Sequence, residues 1–180
     1  MIDLSLQLMT TVRHNRLIMN LFPNILDLFK RGEIYPFQEQ CGLVLFGTKF
    51  AGDETLVDVS LLPECDRARL LKSGIDELQY VQPDFLYFKQ NKFLQNYSAT
   101  RIAGVPDLVI EVWSNSNYEY EREMKFRLYS SSPKCEHWYL SQDSNDVQCY
   151  VGRQELPRQS LCNTLVTLDA LTFDLRHLAL

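Results

Sequence analysis

Apolar residues at Leu17, Ile18, Leu21, Ile25, Leu28 and Phe29 recur at spacings of three and four, the period of one helix face. Thr10 or Thr11 can cap this helix and Gly32 can end it, while Pro23 inside it is expected to kink or split it. Residues 40–50 and 55–62 are rich in Val, Leu and Phe and flank Ala51-Gly52-Asp53, which predicts a β-hairpin. The charged stretch between Leu62 and Leu78 predicts a short helix or loop. Tyr80–Phe88 predicts a strand, and Asp107–Trp113, nearly continuous in apolar residues, predicts a strand at a sheet centre. Between them the polar residues 89–103 read as a loop. Residues 117–131 have helical composition with an acidic first turn, and 136–142 and 147–151 form a second hairpin around Asp143-Ser144-Asn145-Asp146. Residues 160–180 are expected to close the domain. The order of elements gives an α/β or α+β sheet with helices on its faces, in a single domain over 1–180.

One charge breaks the strand pattern. Glu111 sits among Leu108, Val109, Ile110, Val112 and Trp113, and burying an unpaired carboxylate costs several kcal/mol or more. Such a group is neutralised, paired or bound to a metal. Two Pro-Asp pairs lie upstream, Pro83-Asp84 and Pro106-Asp107. Asp107 and Glu111 share a strand face, but at about 3.3 Å per residue their Cα atoms stand roughly 13 Å apart, too far for one ion. Asp84 on a separate strand can lie opposite or diagonal to Glu111, so Asp84 and Glu111 are the expected pair, with Asp107 capping a turn or lying at the strand mouth.

Phosphodiester hydrolysis needs oxygen ligands for a hard cation and a positive group that stabilises the charge of the transition state. A lysine at position 113 would share Glu111's face, but Trp113 stands there. Lys125 offers a substitute from the following helix, one turn beyond Glu121 and on the same helix face. The blander alternative is a buried Glu111 held by Arg122 or Lys125 as a structural ion pair.

Composition narrows the chemistry. The five cysteines are odd in number, widely spaced and without a Cys-x-x-Cys, and the three histidines form no helical pair, so neither a zinc site nor a disulfide framework is expected. Oxygen ligation is left, which favours Mg²⁺ or Mn²⁺. No apolar run approaches the roughly 20 residues of a membrane span and the start lacks a basic leader, so a cytoplasmic protein without a membrane partner is expected. The formal net charge of −5 opposes a nucleic-acid partner, although Arg122, Lys125, Arg127 and Lys134 cluster beside the candidate site.

The motifs Val81-Gln82-Pro83-Asp84, Gly104-Val105-Pro106-Asp107-Leu108-Val109-Ile110-Glu111-Val112 with Ser114, Glu121 and Lys125 through Tyr129, and Glu136-His137-Trp138 resemble those of the Uma2 family (DUF820), grouped with PD-(D/E)XK nucleases. The resemblance covers most of the chain, with Glu121 where Asp is usual, Ser141 where Asp is usual and Trp113 where Leu is usual. The segment ahead of the first helix is short against the family, so its early strand with an acidic residue is not expected here. The resemblance implies a restriction-endonuclease-like mixed sheet flanked by helices and a magnesium site on Asp84 and Glu111. It also implies a catalytic lysine moved to Lys125, with Glu121 supporting it and His14, on the first long helix, near the site. The expected function is metal-dependent endonucleolytic hydrolysis of nucleic acid, DNA above RNA, by a homodimer. Two other classes stay open: a catalytically inactive nuclease fold serving as a binding or dimerisation module, and a hydrolase of a small phosphorylated molecule.

Overall fold

The computed structural model describes residues 4–38, 42–46, 78–89, 94–98, 101–103, 106–114, 117–130 and 132–180. Helix α1 (Leu4–Lys30) begins ahead of Thr10 and Thr11 and runs through Pro23 without a break. Pro23 is exposed, so the hydrogen bond it removes lies on the solvent side, while buried Leu17, Ile18, Leu21 and Ile25 hold the helix to the core. Leu28 continues that stripe, whereas Phe29 is exposed and packs on Phe22, also of α1. The helix stops where expected. Gly32 adopts φ 70°, its N–H donates to Phe29 O at 2.9 Å, and the Glu33 N–H donates to Leu28 O at 3.0 Å, which satisfies two orphan carbonyls of the last turn.

Strands β1 (Ile34–Gln38), β4 (Phe85–Lys89), β7 (Leu108–Trp113), β8 (Glu136–Ser141), β9 (Asp146–Val151) and β10 (Gln154–Glu155) form the main sheet in the order β1-β4-β7-β8-β9-β10, with β11 (Gln159–Ser160) also on β9. Only β7 and β8 run parallel; the other pairs of this sheet are antiparallel. The parallel pair requires a crossover, which helix α2 (Glu119–Ser130) supplies. Residues alternate between two buried faces. Ile110 and Val112 of β7 join Phe85, Trp138 and the apolar stripe of α1, whereas Val109 joins Leu86, Phe88, Tyr139 and the α2 residues Leu128 and Tyr129. Glu111 belongs by this alternation to the α2 face.

The segment at 80–88 is two strands. A second sheet, ordered β3-β2-β6-β5, contains β2 (Gly42–Phe46), β3 (Leu78–Val81), β5 (Leu94–Ser98) and β6 (Arg101–Ala103). The chain leaves it at Gln82-Pro83-Asp84, where Pro83 has no N–H for a ladder, and enters the main sheet at Phe85. The expected loop at 89–103 contains β5 and β6, whose polar sequences lack the apolar alternation that marks a strand. Strand β2 pairs with β3 and β6; the proposed partner at 55–62, its turn and the charged stretch between Leu62 and Leu78 lie outside the described residues. The hairpin of β8 and β9 and the helix at Glu119–Ser130 stand as expected. The C-terminal residues form a small hairpin of β12 (Leu165–Val166) and β13 (Thr172–Phe173) and one 3-10 turn, Arg176–Leu178, and bury Phe173, Leu175 and Leu178 on the α1 side.

Candidate active site

The antiparallel register Phe85↔Ile110 of β4 and β7, continued one step, sets Asp84 opposite Glu111. Asp84 lies just before its strand, half-buried, with Oδ2 accepting the Val112 N–H at 2.6 Å. The Nε2 of His14, from α1, stands 3.5 Å from the same oxygen. Glu111 is 1% exposed at the centre of the sheet, where its Oε1 accepts the Tyr129 hydroxyl at 2.7 Å and its Oε2 accepts Lys125 Nζ at 2.8 Å. Lys125 also donates to the Gln82 carbonyl at 3.2 Å and lies 3.8 Å from Glu121 Oε1. Glu121, Lys125 and Tyr129 are four residues apart in turn, so α2 presents all three along one stripe over the sheet. These groups meet at a cleft of about 400 Å³, bounded by His14, Asp84, Glu111, Trp113, Glu121 and Lys125 among others.

Burial pushes the Glu111 carboxyl up to about 7, with nearby Asp84 adding to the rise and Lys125 opposing it. Burial alone would lower the Lys125 ammonium, but Glu111, Asp84 and Glu121 outweigh it and the net direction is upward. The Tyr129 hydroxyl is driven well above the ordinary phenol range by burial and by Glu111, so it stays a proton donor. One firmly charged ammonium therefore faces three acidic side chains, Glu111, Asp84 and Glu121.

Each residue expected at the site from the sequence, His14, Asp84, Glu111, Glu121 and Lys125, lies on this cleft. Asp107 does not: it lies at the mouth of β7, where its Oδ2 accepts the Lys89 N–H of neighbouring β4 at 2.8 Å, a bond across the strand pair and not a turn cap. Tyr129 is the residue whose place at the site was missed. Its signal was the regular spacing of Glu121, Lys125 and Tyr129. The basic cluster turns out to be largely engaged. The Arg122 guanidinium lies 5.0 Å over the Trp113 ring and donates to the Ser114 carbonyl, and Arg127 pairs with Glu123. Glu136 and His137 serve the interior. Glu136 accepts the Trp138 indole N–H at 2.8 Å and the Leu168 N–H at 2.9 Å; His137 spans the Tyr139 hydroxyl at 2.9 Å and the Gly152 carbonyl at 2.8 Å.

The residues present suit a hard divalent cation. Asp84 and Glu111 offer oxygen only, Asp84 Oδ1 accepts no hydrogen bond among the described residues, and the Gln82 carbonyl faces the same ammonium as Glu111. Among the described residues no group of three or more His, Cys, Asp or Glu side chains is arranged to hold one ion. Mg²⁺ commonly uses one or two carboxylates and keeps its waters, so two suffice.

The fold is of the nuclease-like α+β type, and it carries an acidic pair on adjacent strands with a lysine brought over one of them by the crossover helix. The comparisons agree. The Uma2 family model, described as "Putative restriction endonuclease", matches residues 59–178, and the chain belongs to that family. A solved structure from Anabaena variabilis ATCC 29413, described as "a putative nuclease belonging to DUF820", aligns with a TM-score of 0.60 over 93% of this chain and 82% of its own, at 13% identity. That likeness is one of fold. A search of curated proteins gives no match. Among the described residues no helix is long and apolar enough to cross a membrane.

Proposed function

We propose that this chain is a metal-dependent nuclease that hydrolyses phosphodiester bonds, with DNA the expected substrate and Asp84 and Glu111 the ligands of Mg²⁺ or Mn²⁺. The observation that carries the reading is the Lys125 ammonium, 2.8 Å from buried Glu111 and beside the cleft that Asp84 also lines. Asp84 and Glu111 would hold the cation, which would supply Lewis-acid stabilisation of the phosphoryl oxygens.

The protein's own groups do the rest. Lys125, fixed by Glu111, presents the positive charge on which a pentavalent phosphorane is stabilised. Glu121, 3.8 Å away and 40% exposed, holds the ammonium from the solvent side and can orient an incoming water. His14 stands against Asp84 and fixes that carboxylate's direction. Tyr129 holds Glu111 Oε1 from beneath, so Glu111 cannot rotate away when the cleft is filled. Two copies of the chain would supply one such site for each strand of a duplex.

One observation favours a second reading, a nuclease fold without catalysis serving as a binding or dimerisation module. Both Glu111 oxygens already have protein partners, so the network can close on itself as a structural ion pair. Calorimetric titration with Mn²⁺ and Mg²⁺ separates the two. The nuclease reading predicts binding by the wild type that is lost in Glu111→Gln. No binding at millimolar metal would leave the module reading.

A further inference from the structure

A second hollow, of about 220 Å³, opens beside the cleft and shares Trp113 with it. Its walls are Trp113, Phe126, Tyr139 and Tyr150, with the Arg122 guanidinium and the Gln148 amide among them. The sheet register ties it to the site: Glu111 pairs with Tyr139, and Tyr139 pairs with Gln148, so these side chains stand in one row across β7, β8 and β9. At about 4.8 Å per strand the row places Gln148 roughly 10 Å from Glu111.

Resting on the nuclease reading, we propose that this hollow receives a nucleobase next to the scissile phosphate and so sets a base preference for cleavage. Its walls are of the kinds unstacked bases use: aromatic rings and a guanidinium, here 5.0 Å over the Trp113 ring and donating to the Ser114 carbonyl. Gln148 brings both a donor and an acceptor, and Glu119 on the rim only an acceptor. That set favours a base with an exocyclic amine, adenine or cytosine, over thymine. Tyr118 and Tyr120 flank Glu119 at 80% and 77% exposure, large aromatic surfaces that the interior does not use.

The chain carries its own reporter. Of its two tryptophans, Trp138 is fully buried and bonded to Glu136, so quenching by a ligand reads Trp113. Short single-stranded DNA rich in adenine is titrated in EDTA against a strand of the same length rich in thymine, on wild type and Gln148→Ala, with plasmid nicking in Mg²⁺ scored in parallel. The expected result is about tenfold tighter binding of the adenine strand, within the range of one bidentate side-chain contact to a base, with most of the difference lost in Gln148→Ala. Equal binding of both strands by a protein that nicks plasmid overturns the base pocket and leaves the nuclease reading standing. A preference for adenine unchanged in Gln148→Ala puts the base elsewhere and also overturns it. Binding of neither strand together with no nicking overturns both.

Discussion

Replacing Lys125 by methionine keeps the length of the side chain and removes its charge, leaving Glu111 with Tyr129 as its remaining side-chain partner. The pair is 2.8 Å apart, with side chains 12% and 1% exposed. At an effective dielectric of about 20, the Coulomb attraction at that distance is about 6 kcal/mol, against several kcal/mol of desolvation for each ion. The intact pair therefore contributes little net stability, but breaking it leaves an uncompensated buried charge at about 3–5 kcal/mol. Glu111 has an escape. Its carboxyl already sits near 7 in the folded protein, and removing Lys125 raises it further. A carboxyl whose folded pKa lies above its unfolded value makes the folded state take up protons as pH falls, so the variant recovers stability on acidification. The expected loss in metal-free buffer is about 3 kcal/mol or more at pH 8 and distinctly less at pH 5. Lys125→Met combined with Glu111→Gln removes both charges and should recover at least half of the loss. Urea unfolding followed by circular dichroism measures wild type, Lys125→Met, Glu111→Gln and the double variant. A single variant as stable as wild type at pH 8, or a double variant whose loss is the sum of the two single losses, would refute the argument.

Tyr129→Phe deletes a buried donor to Glu111 and should cost about 1.5–3 kcal/mol in urea unfolding while weakening Mn²⁺ binding measured by calorimetry; unchanged metal affinity would make Tyr129 purely structural. Burial holds His137 down to about 4, and its acceptance of the Tyr139 hydroxyl requires a neutral ring, while its donation to the Gly152 carbonyl opposes the fall. Since the unfolded ring protonates near 6.5, His137 withdraws stability as pH falls from about 6.5 towards 4; its NMR resonance should titrate near 4, and titration near 6.5 would contradict the burial. Gly32→Ala strains a residue at φ 70° in open space and should cost about 1 kcal/mol. Gly152→Ala should cost more by thermal unfolding, because a Cβ there meets Pro133 Cα at 3.0 Å as well as φ 53°.

The legible parts of the sequence were those with local causes. The apolar run of β7 and the charge inside it marked a central strand and its site residue, because burial of Glu111 demanded a partner. Asp84 was legible by elimination, since strand geometry disqualified Asp107. Helix α2 was legible by composition, and its stripe placed Lys125. What escaped depended on distant partners. Pro83 divides two sheets, a fact of topology that residues 80–88 alone do not express. Strands β5 and β6 are polar and owe their form to their neighbours in the second sheet. The start of α1 lies well ahead of its capping threonines because periodicity seen from Leu17 onward gives no left boundary. Tyr129 read as a core aromatic until the helix turned it onto Glu111. The basic cluster read as a binding patch because sequence shows charges without their partners.

The most direct test of the account is nicking of supercoiled plasmid by wild type, Asp84→Asn and Glu111→Gln in Mg²⁺, with EDTA as the control. The account predicts that wild type nicks, that EDTA stops it, and that each variant, folded as judged by circular dichroism, loses the activity. Nicking by Glu111→Gln at the wild-type rate, or an intact plasmid with metal-loaded wild type, would contradict it.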